Sequence, residues 1–240
     1  MSGHSKWATI HRQKKTTDAK RGLLFSKLSR AITIAARGNP NPDANFKLRL
    51  AIDKARAGNM PKDNIERALR QAQGKLVEEV TYEGFGPGGI AIIVEAVTDN
   101  KNRTAQEMKS LFDRGGGNLG GPGSVTFNFE QTGYLLVEKK GAVEEQMLAL
   151  IDLGVIDVLE SEDGIDVYIV PTVLSQVRAK VEEAGFIVKE MSLVMRPKTL
   201  VSINSPETAK KAMLFLESLE SHEDVQEVYS NVDIPDEILN

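Results

Sequence analysis

Lys6, Arg12, Lys14 and Lys15 stand within the first 16 residues, around Trp7 and two histidines, His4 and His11. Cations at that density share one chemistry: each can neutralise a phosphate without a fixed partner geometry. A ring among them adds a face on which an unpaired base can stack, although Trp7 could equally pin the segment to the body behind it. In the opening MSGHSKWATIHRQKKTTDAKRG the only acid is Asp18, so little nearby competes for these charges. Residues 1–75 hold 17 Lys and Arg against 5 Asp and Glu, and the remaining 165 residues hold 13 against 29. The formal charge of −4 therefore conceals a basic end of +12 on an acidic body of −16. A solubilising tail would mix both signs, as the body does. The segregation is the footprint of a module that binds polyanions.

Other chemistry is thinly represented. Two loops match G-x-G-x-x-G, at Gly84, Gly86 and Gly89 and at Gly115, Gly117 and Gly120. A dinucleotide loop must follow a strand and open a helix. Here the first leads into a strand pattern and the second leaves a helix pattern, and Pro87 removes one backbone donor. Both read as connections, although the glycine-rich run 115–123 costs entropy to order, and loops of that kind often serve binding. His4 and His11 lie among cations, and His222 reads as a cap at a helix end. No metal-ligand spacing occurs, and with no cysteine in the chain there is no thiolate and no Cys-ligated zinc. The acids Glu144, Glu145, Glu182 and Glu183 read as solvated helix faces. These observations predict no catalytic residue, no metal, no cofactor and no small-molecule substrate.

The elements that must position the basic residues follow from hydrophobic spacing. Residues 1–16 lack periodicity and read as an arm. A helix over Thr17–Arg37 puts Phe25, Leu28, Ile32 and Ala35 on one stripe and Lys20, Lys27, Arg30 and Arg37 on the other side. A second helix opens at Pro42-Asp43 and carries Leu48, Ala51, Ile52 and Ala55, and a third follows Pro61 with Ile65, Ala68, Leu69 and Ala72 inward. The charge changes sign at residues 75–80. Beyond it, strand patterns at Gly89–Thr98 and Ser124–Phe129 flank a helix over Asn102–Arg114. Residues 134–194 then read strand, helix, strand, strand, helix, strand, with SEDG as the hairpin turn, which is the ferredoxin-like order. Leu200–Ile203, Glu207–Leu219 and Val225–Tyr229 add strand, helix and strand, completing a second such unit with residues 89–129. The expected fold is α+β: an arm (1–16), a three-helix domain (17–75), and two ferredoxin-like α/β domains. One of these (131–197) is inserted in the other (76–130 plus 198–240).

The segments SGHSKWATI, KKTTDAKRGLLFSKL, NMPKDNIERA, YEGFGPGG, TDNKNRT and GGNLGGPGSV resemble the YebC/PmpR family along essentially the whole chain. The resemblance implies a helical N-terminal domain with two α/β domains, and no enzymatic activity or cofactor. It also implies a regulator of gene expression. Bacterial members are described as DNA-binding transcriptional regulators, mitochondrial relatives activate translation of a cytochrome oxidase subunit, and some members are held to relieve ribosome stalling at proline-rich stretches. One departure is RGGG at Arg114–Gly117, where many relatives carry a cysteine.

The sequence thus predicts a non-enzymatic nucleic-acid-binding regulator whose partner is duplex DNA or, alternatively, ribosomal RNA on the ribosome. Its contact residues would be His4, Lys6, Trp7, Arg12, Lys14, Lys15, Lys20, Arg21, Lys27 and Arg30. With no apolar run of membrane-spanning length and no signal-peptide core, a cytoplasmic protein without a membrane partner is expected.

Overall fold

The computed structural model describes residues 18–72 and 77–239. Among the described residues three helices come first: α1 (Asp18–Ala35), α2 (Phe46–Ala57) and α3 (Lys62–Gln71). Their apolar stripes meet in one core of Leu28, Ile32, Leu48, Ile52, Ala55, Met60, Ile65 and Ala68, with Phe25, Ala51 and Leu69 at its edge. The start of α2 is set by Asn45 rather than by Pro42. The Asn45 side chain accepts from the Leu48 N–H at 3.1 Å and donates to the carbonyls of Ala35 at 2.6 Å and Asn39 at 2.7 Å. One residue therefore caps α2 and closes the corner with α1, leaving residues 42–44 as a turn.

The next layer is an antiparallel sheet of β1 (Glu78–Phe85), β2 (Ala91–Thr98), β3 (Asn118–Leu119) and β9 (Val225–Ser230), in the order β3-β1-β2-β9. Helices α4 (Lys101–Arg114) and α7 (Pro206–Glu220) cover one face, burying Tyr82, Ile92 and Val94 against Met108, Phe112, Phe215 and Leu216. The opposite face buries Ala91 and Ile93 against Val125 and Phe129, so β2 is apolar on both sides over residues 91–94.

A second four-stranded sheet is inserted between β3 and α7. It contains β4 (Phe129–Val137), β5 (Asp157–Glu160), β6 (Ile165–Ile169) and β7 (Val188–Pro197) in the order β5-β6-β4-β7. With α5 (Val143–Ile151) and α6 (Leu174–Glu183) on one face, this is the ferredoxin-like arrangement. Its core joins Leu135, Val137, Val167 and Ile169 to Leu150, Val177 and Val181. The two-residue strands β8 (Val201–Ser202) and β10 (Val232–Asp233) pair in parallel, and α8 (Asp236–Leu239) ends the described chain.

The α+β class and the order of helical and sheet units are as expected, with two differences at strand level. The outer sheet also has ferredoxin-like spatial order, but the segment 200–203 does not enter it. Its place beside β2 is taken by β1, whose first residues, Glu78 and Glu79, fall in the stretch 75–80 where the charge changes sign. Nor are residues 124–128 a strand; only Phe129 enters one, at the start of the next sheet. Glu83 takes the N–H groups of Val125 and Thr126 that a ladder would need, and Thr126–Asn128 forms a 3₁₀ turn instead.

Candidate nucleic-acid interface

Of the ten residues expected to contact nucleic acid, His4, Lys6, Trp7, Arg12, Lys14 and Lys15 lie outside the described residues. Lys20 and Arg21 fall in the opening turns of α1, where Arg21 is exposed. Gly22 follows in the same helix with nothing within 4 Å of where a Cβ would stand.

Lys27 and Arg30 are placed differently from the expected outward stripe. Lys27 Nζ donates to the Glu220 carbonyl at the end of α7. Arg30 donates to the Glu223 carbonyl at 2.8 Å and to the Asp224 carboxylate. Both cations thus point from α1 into the acidic body, because the turn between α7 and β9 brings carbonyls and carboxylates to that side of the helix. Lys54 of α2 makes a third tie, to Glu227 on β9. On the inserted sheet, Phe46 and Leu50 of α2 pack at the edge of the core, and Arg178 reaches Asp53 at 3.5 Å.

Asp224 anchors this seam. Its side chain is 1% exposed, and besides Arg30 it meets Arg103 at 2.7 Å and accepts from the Thr104 hydroxyl at 2.8 Å. Burial pushes its carboxyl up, but Thr104, Arg103 and Arg30 outweigh that and hold it below its usual value. Across the seam, burial and the facing Glu227 push the Glu95 carboxyl up, whereas Glu227 holds the Lys54 ammonium above its usual range despite burial. His222 Nδ1 accepts from the Asp224 N–H at 3.1 Å, leaving Nε2 to donate to Glu107 at 3.0 Å. Glu107, His222 and Asp224 could in principle ligate a metal ion. They do not fit one here, since two guanidinium groups already supply the positive charge at Asp224.

Sequence reasoning passed over several other exposed cations of the helical unit. Lys47, Arg49 and Arg56 on α2, and Lys62, Arg67 and Arg70 on α3, belong to the same basic unit. Lys62 is 87% exposed and reaches Glu66 only at 3.7 Å, and Arg70 reaches the same carboxylate at 3.9 Å. Pairs that open contribute little and leave the charge available. The signal for these residues was the count over 1–75 rather than any spacing.

The glycine loops are built as packing. A Cβ on Gly84 would lie 2.5 Å from the Asn118 carbonyl and from Phe112, and one on Gly115 would lie 2.2 Å from Phe215. Neither loop opens an α-helix: the first joins β1 to β2, and the second joins α4 to β3. The buried Glu83 carboxylate organises the connection that follows, from β3 to β4, by accepting from Gly123 at 2.7 Å, Val125 at 2.8 Å and Thr126 at 2.9 Å, while Phe127 beyond them is 65% exposed. No described helix is long and apolar enough to cross a membrane.

These features define a class: a basic three-helix unit mounted on two ferredoxin-like layers of opposite charge. Residues 5–75 match the profile of the TACO1/YebC protein N-terminal domain, and residues 77–232 match that of the TACO1/YebC second and third domain. The chain belongs to the TACO1/YebC family. It is 48% identical to a "Probable transcriptional regulatory protein" of Dictyoglomus turgidum, over 100% of this chain and 98% of that one. A protein of the same description from Thermoanaerobacter pseudethanolicus is 46% identical over 99% of each chain. The crystal structure of a conserved hypothetical protein from Aquifex aeolicus superposes with a TM-score of 0.90, at 44% identity over 98% of this chain and 100% of that one.

Proposed function

We propose that this chain is a non-enzymatic regulator of gene expression that binds nucleic acid, with duplex DNA as its partner, through the arm and the opening turns of α1. The single observation that carries this reading is the charge segregation: residues 1–75 bear +12 while the remainder of the chain bears −16. The exposed cations of α2 and α3 add to the positive charge of the same unit. The names of the relatives support transcription as the level of regulation. Phosphate contacts need only charge and reach, so the reading does not depend on a recognition helix.

The test is binding of the full chain to a duplex and to a loop-containing RNA of equal length, across a salt series. Replacing Lys14, Lys15 and Lys20 with alanine should weaken binding and lower the log–log salt slope by roughly 0.7–0.9 for each phosphate no longer neutralised. An unchanged slope would put the binding surface elsewhere. Tighter binding to the RNA, abolished in Trp7→Ala, would replace duplex DNA with an RNA or ribosomal partner.

A further inference from the structure

We infer that the acidic body competes with nucleic acid for Lys27, Arg30 and Lys54, so that the docked helical unit is a partly masked form of the binding surface. This rests on the polyanion reading above and adds a regulatory contact to it. The segment Glu217–Glu227 carries five carboxylates, at 217, 220, 223, 224 and 227. Three of them, at 223, 224 and 227, together with two backbone carbonyls, meet the three cations of α1 and α2. To those cations the segment does what a phosphate backbone would do, at a spacing set by the turn from α7 into β9.

Three features make the contact releasable. It is largely ionic: beyond Phe46 and Leu50 against the inserted core, the named ties are charged, and Glu223 and Glu227 are 62% and 39% exposed. Ties of that kind weaken with salt and yield to a stronger polyanion. Asp224, the one fully buried acid of the segment, keeps Arg103 and Thr104 when Arg30 leaves, so release orphans no buried charge. Glu95 and Glu227 stand directly opposite each other on β2 and β9, a repulsive pair that Lys54 relieves while docked and that water can solvate once the unit lifts. Each form is therefore internally satisfied. A nucleic acid that takes the three cations must supply the free energy of undocking, and its apparent affinity falls by the fraction of chains that are docked.

The test uses the full chain carrying Glu223→Gln and Glu227→Gln, compared with Glu144→Gln and Glu145→Gln, which remove the same charge from the exposed face of α5. Measured on a short duplex, the first pair should bind about tenfold tighter than the control pair, within the usual range of coupling between sites. Its salt slope should also steepen by roughly 0.9 for each cation freed. Hydrogen exchange should show α2 and β9 losing protection when the wild-type chain binds the duplex. Equal affinity and slope in the two double variants would overturn the inference while leaving the binding reading intact. If neither wild type nor variant binds a duplex or a structured RNA, the nucleic-acid-binding reading fails, and this inference fails with it.

Discussion

Replacing Glu83 with glutamine should destabilise the protein by about 2–3 kcal/mol, because a hydrogen bond to a charged group is worth about 1.5–3 kcal/mol and a neutral one about half that. One Glu83 oxygen accepts from Gly123 and the other from both Val125 and Thr126. Glutamine keeps one acceptor and turns an NH₂ toward the remaining donor. The cheaper arrangement sacrifices the bond to Gly123, whose residue is exposed enough for water to replace the missing acceptor, and weakens the other two. Alanine removes all three bonds and leaves the buried Val125 N–H unpaired, for about 4–5 kcal/mol on the same scale. Urea denaturation gives the global cost, and amide exchange at 120–126 shows whether the loop opens first. The pH dependence has a definite sign. Burial pushes the Glu83 carboxyl up, but the N–H groups of Gly123, Val125 and Thr126 outweigh it and hold the folded value below the ordinary 4.5. Its contribution is therefore full above that pH and is lost as pH falls through the lower folded value. The gap between wild type and Glu83→Gln should close in acid. A loss below about 1 kcal/mol, with unchanged exchange at Val125 and Thr126, would refute the account of what orders this loop.

Three further outcomes concern the glycines. Gly84→Ala should cost about 3 kcal/mol, measurable by urea denaturation, since its Cβ would meet the Asn118 carbonyl and the Phe112 ring, neither of which can swing aside. Gly22→Ala has open space within α1 and should raise the melting temperature, by the equivalent of about 0.5–1 kcal/mol; a fall would show that the helix is held there by something other than its own geometry. Calorimetry with ATP, NAD and FAD should give no saturable heat, because neither glycine loop opens an α-helix toward which a phosphate could be drawn. Micromolar binding of any of the three would overturn the non-enzymatic reading.

Much of this architecture was legible because it depends on local spacing. The stripes of Leu28 and Ile32, Leu48 and Ile52, and Ile65 and Ala68 mark three helices and also form their shared core. The strand–helix order over 134–194 is the order observed in the inserted sheet. Errors arose where a residue's role is set by a distant partner. The strand at 78–85 was hidden because a glutamate at 83 reads as solvent-facing, and nothing local reveals that its carboxylate is buried under a loop 40 positions away. The apparent strand at 124–129 failed for the same reason, since its N–H groups are engaged by that carboxylate.

By itself, then, the order of residues determined the charge segregation, the helical unit and the class of fold. These follow from composition and from periods of two and 3.6 residues, which the chain carries wherever it folds. Only the tertiary structure decided which cations of α1 remain outward. A helical wheel sorts Lys27 and Arg30 away from the apolar stripe, but it cannot say what lies on the other side. Arg30 meets its carboxylate across 194 positions of sequence, and that encounter exists only once the turn from α7 into β9 has been folded against the helix.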